Sequence, residues 1–370
     1  MKNTAAVNTA ASNRSCVFCF RAFCLLFIFL WSAGLASADP ERNTRFFIDS
    51  AGRTVQVPQE IRRLAPAGAI AQLFLYTIVP DRFVGWSSAL TTELLPYVPQ
   101  NQQKLPVFGQ FYGSGSTLNM EALMAARPDI IIDIGEQKKS IAKDMDEIQR
   151  KTGTPTIFIA ATALDSYAKT YRDLGQLLGV EQEAEHRARF IEDTLNFFKH
   201  LRSTVEAHNR RLRVYYGEEV TGLGTLPAQT IHSQAIDLAG LENVALFSGA
   251  AVPSRPQVSP EQILLWDPDV IILSGVVDIS RFVKDPVLSS LRAVRQGRVY
   301  QAPLEPYNWI ARPPSVNRLA GLYWLGLLAY PDLVSQKEFA ERIKEMYRHF
   351  YHRELSEKEL TRFIPSPVGK

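Results

Sequence analysis

Two stretches of the sequence repeat one another: Asn119-Met-Glu-Ala-Leu-Met-Ala-Ala-Arg-Pro-Asp-Ile-Ile-Ile-Asp-Ile-Gly135 and Ser259-Pro-Glu-Gln-Ile-Leu-Leu-Trp-Asp-Pro-Asp-Val-Ile-Ile-Leu-Ser-Gly275. The offset is 140 residues throughout and aligns Glu121 with Glu261. Each copy opens on a helix-capping residue, runs through a short helix into a Pro-Asp turn and ends in an apolar strand. Helix–turn–strand units of this kind are common in α/β proteins, but the second copy favours two lobes of similar construction.

Around the repeat, short apolar strands alternate with amphipathic helices, which is typical of a largely parallel sheet. The strand signal disappears between the two copies, where Ala184 to His208 is highly charged and carries apolar residues at helical spacing. We therefore expect an α/β protein with two Rossmann-like lobes joined by a long, rigid connecting helix, with the ligand cleft between the lobes. The expected division is a signal peptide at 1–38, an N-terminal α/β lobe at 39–162, a connecting helical segment at 163–209 and a C-terminal α/β lobe with terminal helices at 210–370.

The same patterns predict the individual elements. A hairpin is expected over 46–58. Strands are predicted near 63–66, 83–86, 129–134, 156–160, 213–216, 270–273 and 298–301. Helices are predicted near 70–77, 120–126, 141–152, 231–239, 260–265, 279–291, 315–329 and 336–352.

The charge distribution argues against nucleic-acid binding. The 370 residues include 41 Lys and Arg and 38 Asp and Glu, a formal charge of +3. Lys2, Arg14 and Arg21 all lie in the first 38 residues, which contain no acid, so the remainder is neutral. A neutral body lacks the basic surface that nucleic-acid recognition needs.

The N-terminal stretch has the features of a secretory signal. Arg14 and Arg21 precede a short apolar run, and Ala36-Ser-Ala38 forms a small-residue cleavage site before Asp39. The run is shorter than a bilayer span, which disfavours a membrane anchor. All three cysteines lie in this leader, so we expect no disulfide, thiol nucleophile or zinc-thiolate site after cleavage near Ala38-Asp39. The expected location is the periplasm.

Three features together resemble the helical-backbone periplasmic substrate-binding proteins of ABC importers. They are the Asp49–Pro58 opening, the two repeats and the segment Trp309-Ile-Ala-Arg-Pro-Pro-Ser-Val-Asn-Arg-Leu319. The resemblance extends from Asn43 to about Pro331. It implies a ligand such as an iron(III)-siderophore, haem, cobalamin or another metal complex, no intrinsic cofactor, and a membrane permease as partner. We expect a monomer and no enzymatic activity.

The resemblance gives Glu121 and Glu261 a role. In that family one glutamate per lobe pairs with arginines of the permease, and these two residues occupy the matching positions. Carboxylates in the first turn of a helix are also favoured by the helix dipole. Helix capping alone therefore remains the alternative interpretation.

The cleft should be lined by loops that follow the parallel strands. These loops are rich in aromatic residues, whose faces suit a bulky, partly planar chelate, although each one could instead belong to the core. The aromatic candidates are Trp86, Phe111, Tyr112, Tyr215, Tyr216, Tyr307 and Trp309.

Two further types of candidate carry charge or metal-binding capacity. Some siderophore-binding relatives use a histidine at a place like His232 and a tyrosine at a place like Tyr307 to complete iron coordination, and both ligand types suit ferric iron. His232 could instead cap its own helix. Arg312, and more weakly Arg255, could pair with ligand carboxylates or catecholates. An ion pair that locks the Asn308–Pro314 turn is the alternative for Arg312. The lack of a clearly placed Tyr–Arg pair puts haem in doubt.

The enzyme hypotheses find little support in the sequence. Gly113-Ser-Gly-Ser-Thr117 lacks the Lys of a phosphate-binding loop, and Ser140-Ile-Ala-Lys143 lacks the companion motifs of penicillin-interacting enzymes. A binder of a simpler metal complex or an oxyanion on the same fold stays open. An exported hydrolase is the remote alternative.

Overall fold

The computed structural model describes residues 43–112, 116–247 and 253–368. The expected leader therefore lies outside the described residues, as does most of the Gly113–Thr117 stretch. Residues from Arg45 onward form one compact unit. Within the described ranges, none of the helices has both the length and the apolar composition to cross a membrane.

The N-terminal lobe is built on a parallel sheet of order β3-β4-β5. A separate two-stranded sheet, β1-β2, confirms the expected hairpin. The elements of this lobe are β1 (Thr44–Ile48), β2 (Thr54–Pro58), β3 (Leu64–Pro66), α1 (Ala69–Tyr76), α2 (Gln100–Gln103), α3 (Met120–Ala126), β4 (Ile130–Gly135), α4 (Ile141–Thr152) and β5 (Thr156–Ala160).

Two helices, α5 (Tyr167–Leu178) and α6 (Glu181–Ala207), follow the first sheet. The 27 residues of α6 confirm the long connecting helix. Helix α5 ends at its C-cap, Gly179, which adopts the left-handed conformation (φ 66°) that favours glycine at a helix C-terminus.

The C-terminal lobe is built on a second sheet of order β10-β9-β6-β7, with β8 also paired to β6. All of these pairings are parallel except that of β7 with β6. Its elements are β6 (Arg213–Glu218), β7 (Gly224–Thr225), α7 (Gln234–Leu238), β8 (Glu242–Asn243), α8 (Pro260–Trp266), β9 (Val270–Leu273), α9 (Ile279–Lys284), α10 (Arg292–Arg295), β10 (Val299–Gln301), α11 (Asn317–Ala329), α12 (Gln336–Tyr351) and α13 (Glu357–Phe363).

The internal repeat is present in three dimensions. Helices α3 and α8 are both seven residues long and both begin at a side-chain cap: Asn119 accepts from the Ala122 amide at 3.0 Å, and Ser259 accepts from the Gln262 amide at 3.1 Å. Both helices also end on a left-handed residue and lead into a buried strand of the parallel sheets. Equivalent sequence therefore folds into equivalent structure in the two lobes.

Three predicted elements differ from the structure. The helix predicted over 279–291 ends at Lys284, because Pro286 disfavours helical geometry at Asp285. The helix predicted over 231–239 begins only at Gln234. The strand predicted over 83–86 is reduced to two isolated bridges, at Phe83 and Trp86.

Alternate residues of each central strand enter different cores. Ile132 of β4 and Ile272 of β9 belong to one large cluster that also includes residues of α5, α6, α11 and α12. Ile131 and Ile271 instead belong to two smaller clusters, one for each sheet. Because the large cluster continues from one sheet to the other, a packed core joins the two lobes and disfavours large hinge motion. The residue boundaries proposed for the lobes, at 162/163 and 209/210, remain predictions.

Candidate functional site

A cavity of about 400 Å³ opens where the strands of the first sheet end. We call it the cleft cavity. From the N-terminal lobe it is lined by the loops after β3, β4 and β5, and from the opposite side by Ile231, His232 and Pro314. Its volume is typical of a small-molecule site, and its position at the carboxyl ends of parallel strands is the usual one for α/β proteins.

A second cavity of about 310 Å³, the arginine cavity, lies on the other side of the Arg312–Pro314 segment. Pro314 lines the cleft cavity, whereas Arg312 and Pro313 line the arginine cavity. The arginine cavity is also lined by residues of both lobes: Thr91 and Glu93 of the N-terminal lobe, and Arg255 and Tyr307 of the C-terminal lobe. Both cavities therefore lie between residues of the two lobes.

The arginines of the second cavity share one carboxylate. Arg255 Nε donates to Glu218 Oε2 at 3.2 Å, and Arg312 Nε lies 3.7 Å from the same oxygen. Burial raises the pKa of Glu218, and the two guanidinium groups oppose that rise. Arg312 also donates through Nη2 to the Ser254 carbonyl. Arg312 thus forms an ion pair, and this pair joins the Asn308–Pro314 turn to Glu218 at the end of β6.

A third arginine, Arg318, lies behind the cleft wall and is fully buried. It donates through Nη1 to the Ile231 carbonyl at 2.5 Å and through Nη2 to the Tyr167 hydroxyl. No ion pair to Arg318 is formed among the described residues. The lining of the arginine cavity carries both signs of charge, because Glu93, Glu218 and Glu219 line it together with Arg255 and Arg312.

His232 lies in the cleft wall beside these arginines. Its Nδ1 is buried and has no hydrogen-bond partner in the described part of the chain, and the N-cap of α7 is Ser233 rather than His232. Burial, together with the charges of Arg312, Arg318 and Arg255, lowers the pKa of His232 to about 4. The imidazole is therefore neutral at pH 7, which is the form that binds metals and accepts hydrogen bonds.

The titration of His232 predicts a specific pH dependence of stability. The ordinary histidine pKa is 6.5 and the folded-state pKa about 4, so the unfolded chain binds more protons between these values. The wild-type protein should therefore lose stability, relative to His232→Gln, as the pH falls from about 6.5 to about 4. Urea unfolding of both proteins across this range measures the difference. Parallel curves would contradict the burial of the imidazole.

Tyr307 is the other proposed metal ligand. Its hydroxyl is buried without a hydrogen bond of good geometry, although the Gln72 side chain lies near it, and burial raises the pKa of this tyrosine. Tyr307 lines the arginine cavity, whereas His232 lines the cleft cavity. The structure thus places the two residues on different cavities. Across the described residues, no group of three or more His, Cys, Asp or Glu side chains is arranged to hold a metal ion.

Most of the aromatic candidates lie in the cores rather than on the cavities. Trp86 donates to the Gln102 carbonyl, Tyr215 to the Gly222 carbonyl and Trp309 to the Glu305 carbonyl, and all three side chains are buried. Tyr216 accepts from Asn308 and is equally buried. These four line neither cavity, because aromatic residues at strand ends serve core packing as readily as ligand binding.

The loop after Gly109 carries Phe111 and Tyr112. Phe111 is buried in the smaller cluster of the first sheet, the one that contains Ile131. Tyr112 lines the cleft cavity, where its hydroxyl forms a hydrogen bond with Oδ2 of Asp133. The sequence analysis did not single out Asp133, although a carboxyl within an otherwise apolar strand was a visible signal. Burial raises the pKa of Asp133, and the hydrogen bond from Tyr112 opposes this rise.

The two glutamates of the repeat are exposed in the first turns of α3 and α8. Each is followed by exposed apolar residues at helical spacing: Met124 after Glu121, and Leu264 and Leu265 after Glu261. The backbone caps are already supplied by Asn119 and Ser259. Neither glutamate is needed for side-chain capping, so both carboxylates remain available to a partner.

Comparisons with known proteins all point to one family of binding proteins. The family model described as periplasmic binding protein matches residues 69–306, more than half of the chain. A protein from Pectobacterium atrosepticum named vitamin B12-binding protein is 28% identical over 181 residues, which cover 49% of this chain and 61% of that relative. The matched region thus spans less than two thirds of that relative's length.

Solved structures extend the likeness over most of the chain. An ABC transporter solute-binding protein from Sulfurospirillum deleyianum is 28% identical, with a TM-score of 0.75 over 86% of this chain and 98% of that one. A molybdate periplasmic binding protein from Haemophilus influenzae has a TM-score of 0.68 over 87% of this chain and all of that one. The second is only 18% identical and therefore supports the fold alone.

Proposed function

The chain belongs to the periplasmic binding protein family, and from this premise we propose that it captures a metal chelate, an iron(III)-siderophore or a similar complex, and delivers it to the permease of an ABC importer. The leader would direct it to the periplasm, with cleavage near Ala38-Asp39. The observation that carries the proposal is the cleft cavity between the lobes, with the unpartnered Nδ1 of His232 in its wall.

The electrostatics of the site support a chelate over a bare cation. The charges that act on His232 are those of Arg312, Arg318 and Arg255, so a bare metal cation at this imidazole would meet repulsion. Ferric complexes with carboxylate or catecholate donors are often anionic. The neutral imidazole of His232 on the cleft cavity suits an open coordination position of such a complex, and the phenol of Tyr307 lies on the neighbouring arginine cavity.

A corrinoid is the second candidate, because a relative that is 28% identical bears the name vitamin B12-binding protein. Haem, a simpler metal complex or an oxyanion on the same fold remain further alternatives. Each of these alternatives changes the identity of the bound ligand, but in each the protein would still deliver that ligand to a permease.

Isothermal calorimetry of the mature protein with a panel of probes tests the proposal. The panel comprises ferrioxamine B, a ferric catecholate complex, cyanocobalamin, haemin and molybdate. We expect one chelate to bind one-to-one with micromolar or tighter affinity, about −8 kcal/mol or better. If molybdate is the only probe that binds, the proposed ligand is wrong and the protein binds an oxyanion instead of a chelate.

Direct coordination of the metal by the protein needs a separate measurement. If Tyr307 binds ferric iron, the complex should show a tyrosinate charge-transfer band that Tyr307→Phe removes. His232→Ala should weaken the same complex without removing the band. Unchanged affinity and an unchanged spectrum in the double variant would leave the metal wholly within its organic chelator.

A further inference from the structure

Asp133 lies at a buried position, where a carboxyl group lowers the stability of the fold unless its polar atoms find partners. It lies in β4, every residue of which is buried, and it is itself only 3% exposed. Removing a carboxyl from water without compensation costs several kcal/mol. A side chain of this kind is retained either because the fold needs it or because it contacts something that is not part of the fold.

The internal repeat supplies a comparison within the same chain. The offset of 140 residues that aligns Glu121 with Glu261 places Leu273 at the position of Asp133. Leu273 is fully buried in the smaller core of the second sheet, beside Ile271. A leucine therefore satisfies this position of the fold, and the carboxyl of Asp133 is a departure particular to the N-terminal lobe.

Two groups of the protein donate hydrogen bonds to the carboxyl of Asp133, the Tyr112 hydroxyl and the Ile134 backbone amide, and Oδ1 lies beside Gly68. Tyr112 forms a hydrogen bond with Oδ2. A side chain at Gly68 would bring its Cβ within 3.6 Å of Oδ1, in ordinary contact, but glycine leaves that space empty. Asp133, Tyr112 and Gly68 all line the cleft cavity. The carboxyl is thus fixed in orientation and presented to the site.

The two walls of the cleft have opposite preferences. On one wall, the charges of Arg312 and Arg318 act on His232 and favour acceptor groups of a ligand, although Arg312 lines the arginine cavity and Arg318 lies behind the wall. On the other wall, α1 has Gly68 as its N-cap, without a side-chain cap and without an acid in its first turn. That helix end alone would attract an anion, but the carboxyl of Asp133 beside Gly68 opposes one.

We propose that Asp133, oriented by Tyr112, is a specificity residue that accepts a hydrogen bond from an N–H group, an amide or amine, on the periphery of the bound chelate. The inference rests on the proposed function. It narrows the ligand to complexes that present N–H donors to the N-terminal lobe and acceptors to the C-terminal lobe. A chelate that carries acceptors only would leave the remaining acceptor positions of this carboxyl without a donor, and such a loss is the usual basis of strong discrimination.

Calorimetry with matched probes tests the assignment. Ferrioxamine B carries amide N–H groups and an amine, cyanocobalamin carries carboxamides, and ferric tris(catecholate) carries no N–H. The variant Asp133→Leu installs the residue that the repeat already accommodates, and Gly68→Ala covers Oδ1 while leaving the carboxyl in place. We expect Asp133→Leu to weaken the N–H-bearing probe that the wild type binds about 10- to 100-fold. Gly68→Ala should cause a smaller loss in the same direction.

The control is Glu341→Gln, which removes an exposed carboxylate from α12. It should bind every probe as the wild type does, and thermal unfolding should show that all variants fold. An equal loss for ferric tris(catecholate), or no loss for the N–H-bearing probe, would overturn the role of Asp133. So would a wild type that binds only ferric tris(catecholate), although the proposed function would then survive. A wild type that binds none of the three would overturn both.

Discussion

Reversing Glu121 and Glu261 together to lysine is expected to abolish uptake of the ligand while leaving its binding unchanged. Both carboxylates are exposed on equivalent helices of the two lobes, and neither lines the cleft cavity. Opposing a charged pair across an interface costs several kcal/mol, so two reversals should lower transport by about 100-fold or more. Uptake in cells with labelled ligand, paired with calorimetry on the purified variant, measures the two properties separately.

A matched control separates docking from a general effect of charge. Glu181 and Glu357 are also exposed acids in the first turns of helices, α6 and α13, and their reversal changes the net charge by the same amount. Each reversal near a helix N-terminus costs only about 0.3–1 kcal/mol of stability, so both double variants should fold. Normal uptake by the Glu121/Glu261 double variant would refute the docking role.

The surroundings of the two glutamates support a contact surface. Met124 is 50% exposed, and Leu264 and Leu265 are 40% and 79% exposed, each one turn after its glutamate. Apolar residues beside a charge are typical of interface cores, whereas capping alone would not require them. The helix of the second lobe exposes two such apolar residues and that of the first lobe one, so we expect the proposed docking surface to be larger on the second lobe.

The substitution Gly321→Ala is expected to cause the largest loss of stability among single alanine changes in α11. A Cβ at this position would lie 1.9 Å from the carbonyl oxygen of Trp309, a backbone atom that cannot move by itself. Helix propensity would favour alanine by about 1 kcal/mol, but the clash should outweigh this gain and cost about 3 kcal/mol net or more. Urea unfolding gives the value.

Gly326 provides the comparison for this prediction. A Cβ at Gly326 would meet side-chain atoms of Val334 at 2.7 Å and Phe198 at 3.0 Å, and side chains can adjust. Gly326→Ala should therefore cost clearly less than Gly321→Ala. Because the loop of Trp309 also carries Tyr307 and Arg312, Gly321→Ala should weaken ligand binding as well. Equal stability of the two variants would mean that this loop is not held against α11.

Local pattern was sufficient to predict much of the fold. The capping residues and Pro-Asp turns of the repeat place α3 and α8, and the apolar runs that follow place β4 and β9. Periodicity likewise indicated α6, whose buried residues continue from Ala184 to Val205. The strand expected at Phe83–Trp86 forms only isolated bridges, because pairing depends on neighbours that a local pattern does not reveal.

The site was harder to predict than the fold. His232, Arg312 and Tyr112 do line the cavities, but Trp86, Tyr216 and Trp309 are buried in the cores. Strand-end aromatics have the same sequence signature in either setting, and only the packing of distant elements decides between them. Asp133 had a clearer signal, since its repeat partner is Leu273 and a carboxyl replaces an apolar side chain in one copy alone.

Native mass spectrometry of the mature protein, purified from the periplasm of its own host and paired with elemental analysis, tests the central claim most directly. The account predicts one bound organic complex per chain, together with one equivalent of metal. A metal or an oxyanion bound without any organic component would contradict the chelate-binding role.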